Sequence, residues 1–295
     1  MNLYRHKESN IRKTWLLITM SLLLLIGLGW ILSLVLGDVR ILYGFAVFSI
    51  ITNLVAYWYS DKIALSMSGA HPVTREQNPY LYCMIENLTI TAGLPMPRVY
   101  VMPSAQINAF ATGRNPKHAA VAVTQGALEK LQNEELEGVL AHEISHIGNR
   151  DILVSTIVVV LAGIISMLAD VFLRTSFFGG RDDDNRGGLL QIIAIVAALL
   201  APLAATLVHL SVSRKREYLA DASGALLTRY PDGLANALEK IAYDQTPMRN
   251  ARTATAHLFL SNPFRGREKQ NWFTKLFMTH PPLEERIKIL RGMRV

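Results

Sequence analysis

The sequence predicts a mainly α-helical membrane protein: four transmembrane helices and, on one side of them, an α+β domain with a small β-sheet. Three observations carry that prediction. Of the 295 residues, 51% are hydrophobic and only 18% charged, against about a quarter charged in an ordinary soluble domain; the mean hydropathy is +0.24. Stretches 15–36, 41–59, 152–172 and 189–210 are predominantly apolar, with Asp170 their one formal charge, each near the roughly 20 residues that cross ~30 Å of hydrocarbon. Elsewhere the chain turns polar and changes period, from short β-branched runs to helical spacing.

Residues 1–14 form a basic arm with Arg5, Lys7, Arg12 and Lys13. The hairpin 15–60 follows, its spans 15–36 and 41–59 separated by "GDVR". The first apolar run exceeds the ~7–15 residues of a cleaved signal, and no small-x-small pattern precedes the second, so it reads as a retained anchor. Basic residues gather in the arm and in "SRKRE" after the fourth span, whereas the first hairpin loop carries only Arg40. The positive-inside bias therefore predicts both termini and the 61–151 segment in the cytoplasm. The loop between the third and fourth spans mixes three Arg with three Asp and adds little. A net charge of +7 fits this topology and contact with anionic lipid. Basic residues interleaved with aromatics, as nucleic-acid binding requires, are missing from the sequence. Cys83 is the sole cysteine, so no intramolecular disulfide forms.

The 61–151 segment holds three strand-like runs, "RVYVM", "NAFATG" and "AAVAVTQG". Helical spacing then begins at "QNEELEGVLAHEISHI", with Asn133 as the expected N-cap and Glu134 and Glu135 suited to a helix N-terminus. The second hairpin, 152–210, contains spans 152–172 and 189–210, with Asp170 and His209 read as interface residues. Residues 211–295 form a second water-exposed part, of which 244–275 is polar and reads as a long loop.

Chemistry concentrates in "LAHEISHIGNRD". His142 and His146 are four apart, so one helix face presents both imidazoles to a single zinc. Glu143 is rotated about 100° from His142 on that helix, near enough to reach a metal-bound water without being a ligand. Glu217 in "REYLADASG" supplies the third ligand of a His₂Glu site, with one position left for water. Asp221, one turn later, is placed to orient a ligand imidazole. On straight helices His146 stands about 9 Å beyond Ile152 and Glu217 about 10 Å beyond Leu210, so the two crossings bring the ligands to one height. His71, His118 and His257 have no partner at ligand spacing and read as loop histidines.

"AHEISHIGNRD", "REYLADASG", "NAFATG" and "THPPLEER", together with the paired spans, resemble the M48 (Ste24-like) family of membrane-bound zinc endopeptidases over essentially the whole chain. The resemblance implies a gluzincin-type cytoplasmic protease domain in the cytoplasmic (inner) membrane. One zinc per chain is held by His142, His146 and Glu217, with Glu143 as the base and Asp221 and Asp151 as orienting carboxylates. Related proteases place a His and an Arg beside the scissile carbonyl, a role that falls here on His280 and Arg286. His280 reads equally as a turn residue before Pro281 and Pro282, and Arg286 as a solvated helix residue. Asn108, Ala109 and Phe110 resemble the edge strand that pairs with the substrate backbone. The implied substrates are misfolded membrane proteins and unfolded polypeptides, in quality control, with self-cleavage also possible. A CAAX-type prenyl-protein protease and a non-catalytic membrane scaffold are the alternatives.

Overall fold

The computed structural model describes residues 3–161, 163, 164, 214–248, 253–264 and 281–294. Helices α1 (Leu3–Leu36) and α2 (Arg40–Met67) form the first hairpin, turned at Gly37 with φ 69° and closed by Arg40, which donates to both carboxylate oxygens of Asp38. Both ends of this hairpin differ from the sequence reading. The basic arm is already helical from Leu3, because nothing in 3–14 breaks a helix. Helix α2 continues past the apolar run to Met67, and its last turns pack Ala64 and Leu65 onto the sheet. Among the described residues two helices, Glu8–Leu36 and Arg40–Met67, are long and apolar enough to cross a membrane.

Four strands follow: β1 (His71–Pro72), β2 (Arg98–Met102), β3 (Ala109–Gly113) and β4 (Ala119–Thr124). Their order is β1-β2-β4-β3. β2 runs parallel to β4, and the two outer pairings are antiparallel. Successive β4 side chains alternate between two cores. Ala119, Val121 and Val123 face the core of the helical domain, whereas Ala120 and Ala122 face Met102, Phe110, Val159 and the end of α2. A sheet covered on both faces needs no polar alternation, which is why "AAVAV" reads as an unbroken apolar run.

Helix α3 (Pro79–Thr91) is capped by Asn78, whose side chain accepts from Leu81 N–H at 3.1 Å. Short α4 (Gln125–Lys130) leads into α5 (Asn133–Gly148). Helices α7 (Arg214–Thr228), α8 (Pro231–Tyr243) and α9 (Leu283–Arg291) complete the domain. Leu140, Ile144, Leu234, Leu238 and Leu290 interlock in its core.

Between α5 and α6 (Ile152–Leu161) the axis bends by 86°. The straight stalk expected beneath the histidines is therefore broken at Asn149–Asp151, with Arg150 in the left-handed region at φ 59°. Helix α6 packs Val154, Ile157, Val158 and Leu161 against Leu17, Leu25, Leu28 and Leu32 of α1. Residues 165–172 and the whole predicted span 189–210 lie outside the described residues, as do Asp170 and His209.

Candidate metal centre

Helix α5 starts one residue earlier than expected. Gln132, not Asn133, is the N-cap, because Glu135 accepts from the Gln132 N–H at 2.7 Å and so closes a capping arrangement from the third helical position. The helix then runs inside the core, with residues 138–145 buried throughout. His142 and Glu143 are almost wholly enclosed.

Helix α7 crosses α5 where Gly224 meets the turn bearing His142. A Cβ on Gly224 would stand 3.0 Å from His142 N and 3.2 Å from Ala141 C, so glycine permits this close crossing. Two turns earlier on α7, Glu217 reaches the histidines. The Nε2 atoms of His142 and His146 are 3.1 Å apart, and Glu217 lies 3.7 Å from each, through Oε2 to His142 and Oε1 to His146. Tetrahedral ligands at zinc–ligand distances of about 2.0–2.2 Å stand about 3.3–3.6 Å apart, so this triangle fits one face of such a shell. Among the described residues it is the one cluster of three metal-ligating side chains.

The outer contacts decide which ring nitrogens carry protons. Asp221 Oδ1 lies 2.9 Å from His142 Nδ1, and Asp151 Oδ2 lies 3.2 Å from His146 Nδ1. Each Nδ1–H donates to a carboxylate, which leaves both Nε2 lone pairs aimed at one point. Two lone pairs converging at 3.1 Å repel unless a cation sits between them. The residues present therefore fit a metal ion. The field agrees: burial alone opposes charge on His146, but the hydrogen bond to Asp151 and the charges of Glu217, Asp151 and Glu143 outweigh it, raising its pKa to about 9. The site calls for positive charge.

The bend after α5 is what delivers Asp151. Its backbone N–H caps the helix by donating to His146 O at 3.0 Å, and its side chain then folds back to the His146 ring. Asn10 of α1 donates to Asp151 Oδ1 and to Asn149 O at 3.2 Å. The α1–α2 hairpin thus touches the surroundings of His146.

Arg286 on α9 is fully enclosed. It donates from Nε to Asp221 Oδ2 at 2.8 Å and from Nη2 to Asp221 Oδ1 at 2.6 Å, and its Nη1 stands 3.8 Å from Glu217 Oε2. Burial alone would raise the Asp221 pKa, yet Arg286 and His142 hold it below the ordinary carboxylate range. The guanidinium is engaged with Asp221 and faces Glu217, and is not a solvated helix residue. His280 lies outside the described residues. Burial raises the Glu143 pKa, with His142 and His146 pulling the other way.

Strand β3 is the sheet edge nearest the site, and its outer rim is already occupied. Leu260 N–H donates to Ala109 O at 3.1 Å. Asn108 bridges to Ser261, accepting from its N–H at 3.2 Å and donating to its carbonyl at 3.1 Å. Phe110 points into the core, edge-on to Phe259 at 5.4 Å. The cavity at the His142–His146–Glu217 cluster is small, about 40 Å³, and His257, Leu258 and Leu260 form part of its wall. His257, read from the sequence as a loop histidine, is buried here and donates from Nε2 to Ser155 O at 3.0 Å.

Residues 75–294 match the model of peptidase family M48. The chain is 46% identical to a "Protease HtpX homolog" of Thermoanaerobacter pseudethanolicus over 99% of this chain and 98% of that one. It is also 46% identical to a protein of the same description from Pyrococcus furiosus, over 95% and 94%. Among solved structures it is similar to Ste24p of S. mikatae, with a TM-score of 0.50 and 20% identity over 97% of this chain and 67% of that one.

Proposed function

Because the chain belongs to peptidase family M48 and is a metalloprotease, we propose that it is a zinc-dependent endopeptidase of the cytoplasmic membrane that cuts misfolded membrane proteins and unfolded polypeptides. The supporting observation is the convergence of His142, His146 and Glu217 on one point beside the buried carboxyl of Glu143. His142, His146 and Glu217 would hold the zinc ion, which would supply Lewis acidity toward a bound water. Glu143 takes that water's proton and passes it to the leaving amine nitrogen; its raised pKa suits both halves of the transfer. Asp221 and Asp151 hold the two imidazoles in the tautomer that points Nε2 at the metal. Arg286 is assigned to keep Asp221 ionised and Glu217 in place, and its part in oxyanion stabilisation is left to His280.

Substrate adds as a strand along β3 at Asn108, Ala109 and Phe110, through main-chain hydrogen bonds that are nearly blind to side chains. That tolerance suits a quality-control protease. It requires residues 258–261 to leave the rim of β3, since Leu260 now holds Ala109 O. Four spans, at 15–36, 41–59, 152–172 and 189–210, carry the protease parts 61–151 and 211–295 on the cytoplasmic face. Prenyl-protein processing is the weaker reading, because enclosing a lipidated peptide calls for a larger bundle of spans.

The test uses full-length protein in mild detergent with zinc. Unfolded casein and a misfolded membrane protein should be cleaved, a prenylated CAAX peptide spared, and Glu143→Gln inert on all of them. Efficient cleavage of the CAAX peptide alone would reverse the assignment.

A further inference from the structure

The end of α2 bears a groove that the protease reading leaves unused. Arg40 opens α2 and Trp58 comes eighteen residues later, a rise of about 27 Å, close to the ~30 Å of a hydrocarbon core. At that level Trp58 and Tyr59 are each 52% exposed, and Trp15 of α1 stacks on Tyr57 at 6.4 Å. Aromatic side chains of this kind mark the membrane–water interface.

Just beyond them lies an opening of about 520 Å³, lined by Lys62 of α2, Arg98 of β2, and Arg114 and Lys117 of the β3–β4 turn. Arg98 is paired with Asp61. The others have no carboxylate within 4 Å among the described residues. Gly113, at φ 137°, shapes the turn that carries Arg114, and a Cβ there would strike His118 O. The Arg114 guanidinium lies 4.4 Å over the Trp58 ring and donates to His118 Nε2 at 3.0 Å. His118 Nδ1–H in turn donates to Asn115 Oδ1 at 2.9 Å, which holds the ring beside Arg114. Lys62, Arg114 and Lys117 therefore line one opening together with the exposed rings of Trp58 and Tyr59, Arg114 over the first and Lys62 5.3 Å over the second.

We propose that this groove binds the phosphate of an anionic phospholipid in the leaflet facing the protease domain. Charge complementarity supplies the attraction and Trp58 and Tyr59 supply a flat contact for the glycerol and upper acyl chain. A free phosphate would use the cations but gain nothing from the aromatic wall. The site rests on α2 crossing the bilayer, as the functional reading holds.

The test reconstitutes full-length protein carrying Trp15→Phe, Trp30→Phe and Trp272→Phe, which leaves Trp58 as the fluorophore, into phosphatidylcholine vesicles with a minor share of phosphatidylglycerol. Bromine is placed on the acyl chains of the phosphatidylglycerol or, in a parallel sample, on an equal share of the phosphatidylcholine. The anionic lipid should be enriched beside Trp58 about five-fold for each cation engaged, equivalent to ~1 kcal/mol apiece. Lys62→Gln with Lys117→Gln, both exposed and remote from the metal, should cut that enrichment at least about five-fold while casein cleavage in detergent persists. Equal quenching by the two brominated lipids, or enrichment unaffected by the double substitution, overturns the proposal. Loss of the preference on adding inorganic phosphate overturns the lipid as occupant. Absence of quenching by either lipid means that α2 does not reach the bilayer, and the topology fails together with the site.

Discussion

Replacing Asp221 by alanine separates the two tasks the structure gives this carboxylate. It accepts from His142 Nδ1 at 2.9 Å and from Arg286 at 2.8 and 2.6 Å, all within the buried core. Removing a carboxylate that orients a ligand imidazole typically weakens metal binding about 10–100-fold, or about 1.4–2.7 kcal/mol. The same change strands the fully enclosed Arg286 without its strongest partner, and breaking one side of a buried ion pair costs about 3–5 kcal/mol. At roughly 2–4 °C per kcal/mol for a domain of this size, the apparent Tm should fall by about 6–20 °C. Zinc affinity is measured by competition with a chromophoric chelator and Tm by fluorescence, on the same detergent-solubilised protein. A second variant, Asp221→Leu with Arg286→Met, removes both charges. It should recover much of the stability, since apolar replacement of a buried pair is often neutral, yet leave zinc affinity low. The reasoning is refuted if folded Asp221→Ala binds zinc within about two-fold of the unaltered protein.

Three further outcomes follow from the same geometry. Gly224→Ala places a methyl 3.0 Å from His142 N, backbone that gives little, so it should cost about 1–3 kcal/mol in stability and loosen zinc, while an unchanged Tm would show that α5 and α7 separate freely. Asn10→Ala removes the α1 contact with Asp151, a bond to a charged group worth about 1.5–3 kcal/mol. Zinc should dissociate several-fold faster when its release to a chelator is timed, and an identical off-rate would uncouple the α1–α2 hairpin from the metal. Chelator-stripped protein should be most stable below about pH 6.5 and lose stability as the pH rises through 9, because the His146 pKa is raised from 6.5 to about 9. Metal binding should show the opposite trend, with apparent zinc affinity climbing about ten-fold per pH unit between 7 and 9 as the ion displaces that proton; a flat profile would place His146 outside the ligand set.

What could be read from the sequence is what one helix turn encodes. His142 with His146, and Glu217 with Asp221, are i,i+4 pairs whose shared face is fixed by local geometry, so each half of the cluster is legible in its own helix. Asp151 was legible as a member of its motif, but its delivery by an 86° bend was not. The only local sign of that bend is the Gly148–Asn149 pair ending α5. Arg286 misled because its meaning depends on burial: the same residue on an open helix would be solvated, whereas here α5, α7 and α9 close around it. His257 was missed because a lone histidine has no spacing partner. The apolar run "HLFL" beside it was the available hint of a buried segment. Pairing of 258–261 with β3 joins residues about 150 apart, and no local pattern announces such a contact. The basic-aromatic groove was invisible for a similar reason, since α2, β2 and the β3–β4 turn, which line it together, are far apart in the sequence.

In the proposed mechanism His142, His146 and Glu217 hold one catalytic zinc and Glu143 serves as its base. Zinc per chain and casein turnover, measured on the same samples of unaltered protein, Glu143→Gln and Glu217→Gln, test it most directly. The unaltered protein and Glu143→Gln should each retain one equivalent of zinc after dialysis, with turnover of the latter reduced about 10²–10⁴-fold, while Glu217→Gln should lose its metal. A zinc-loaded Glu143→Gln that cleaves at the unaltered rate, or a Glu217→Gln that keeps a full equivalent of zinc at undiminished affinity, would contradict the claim.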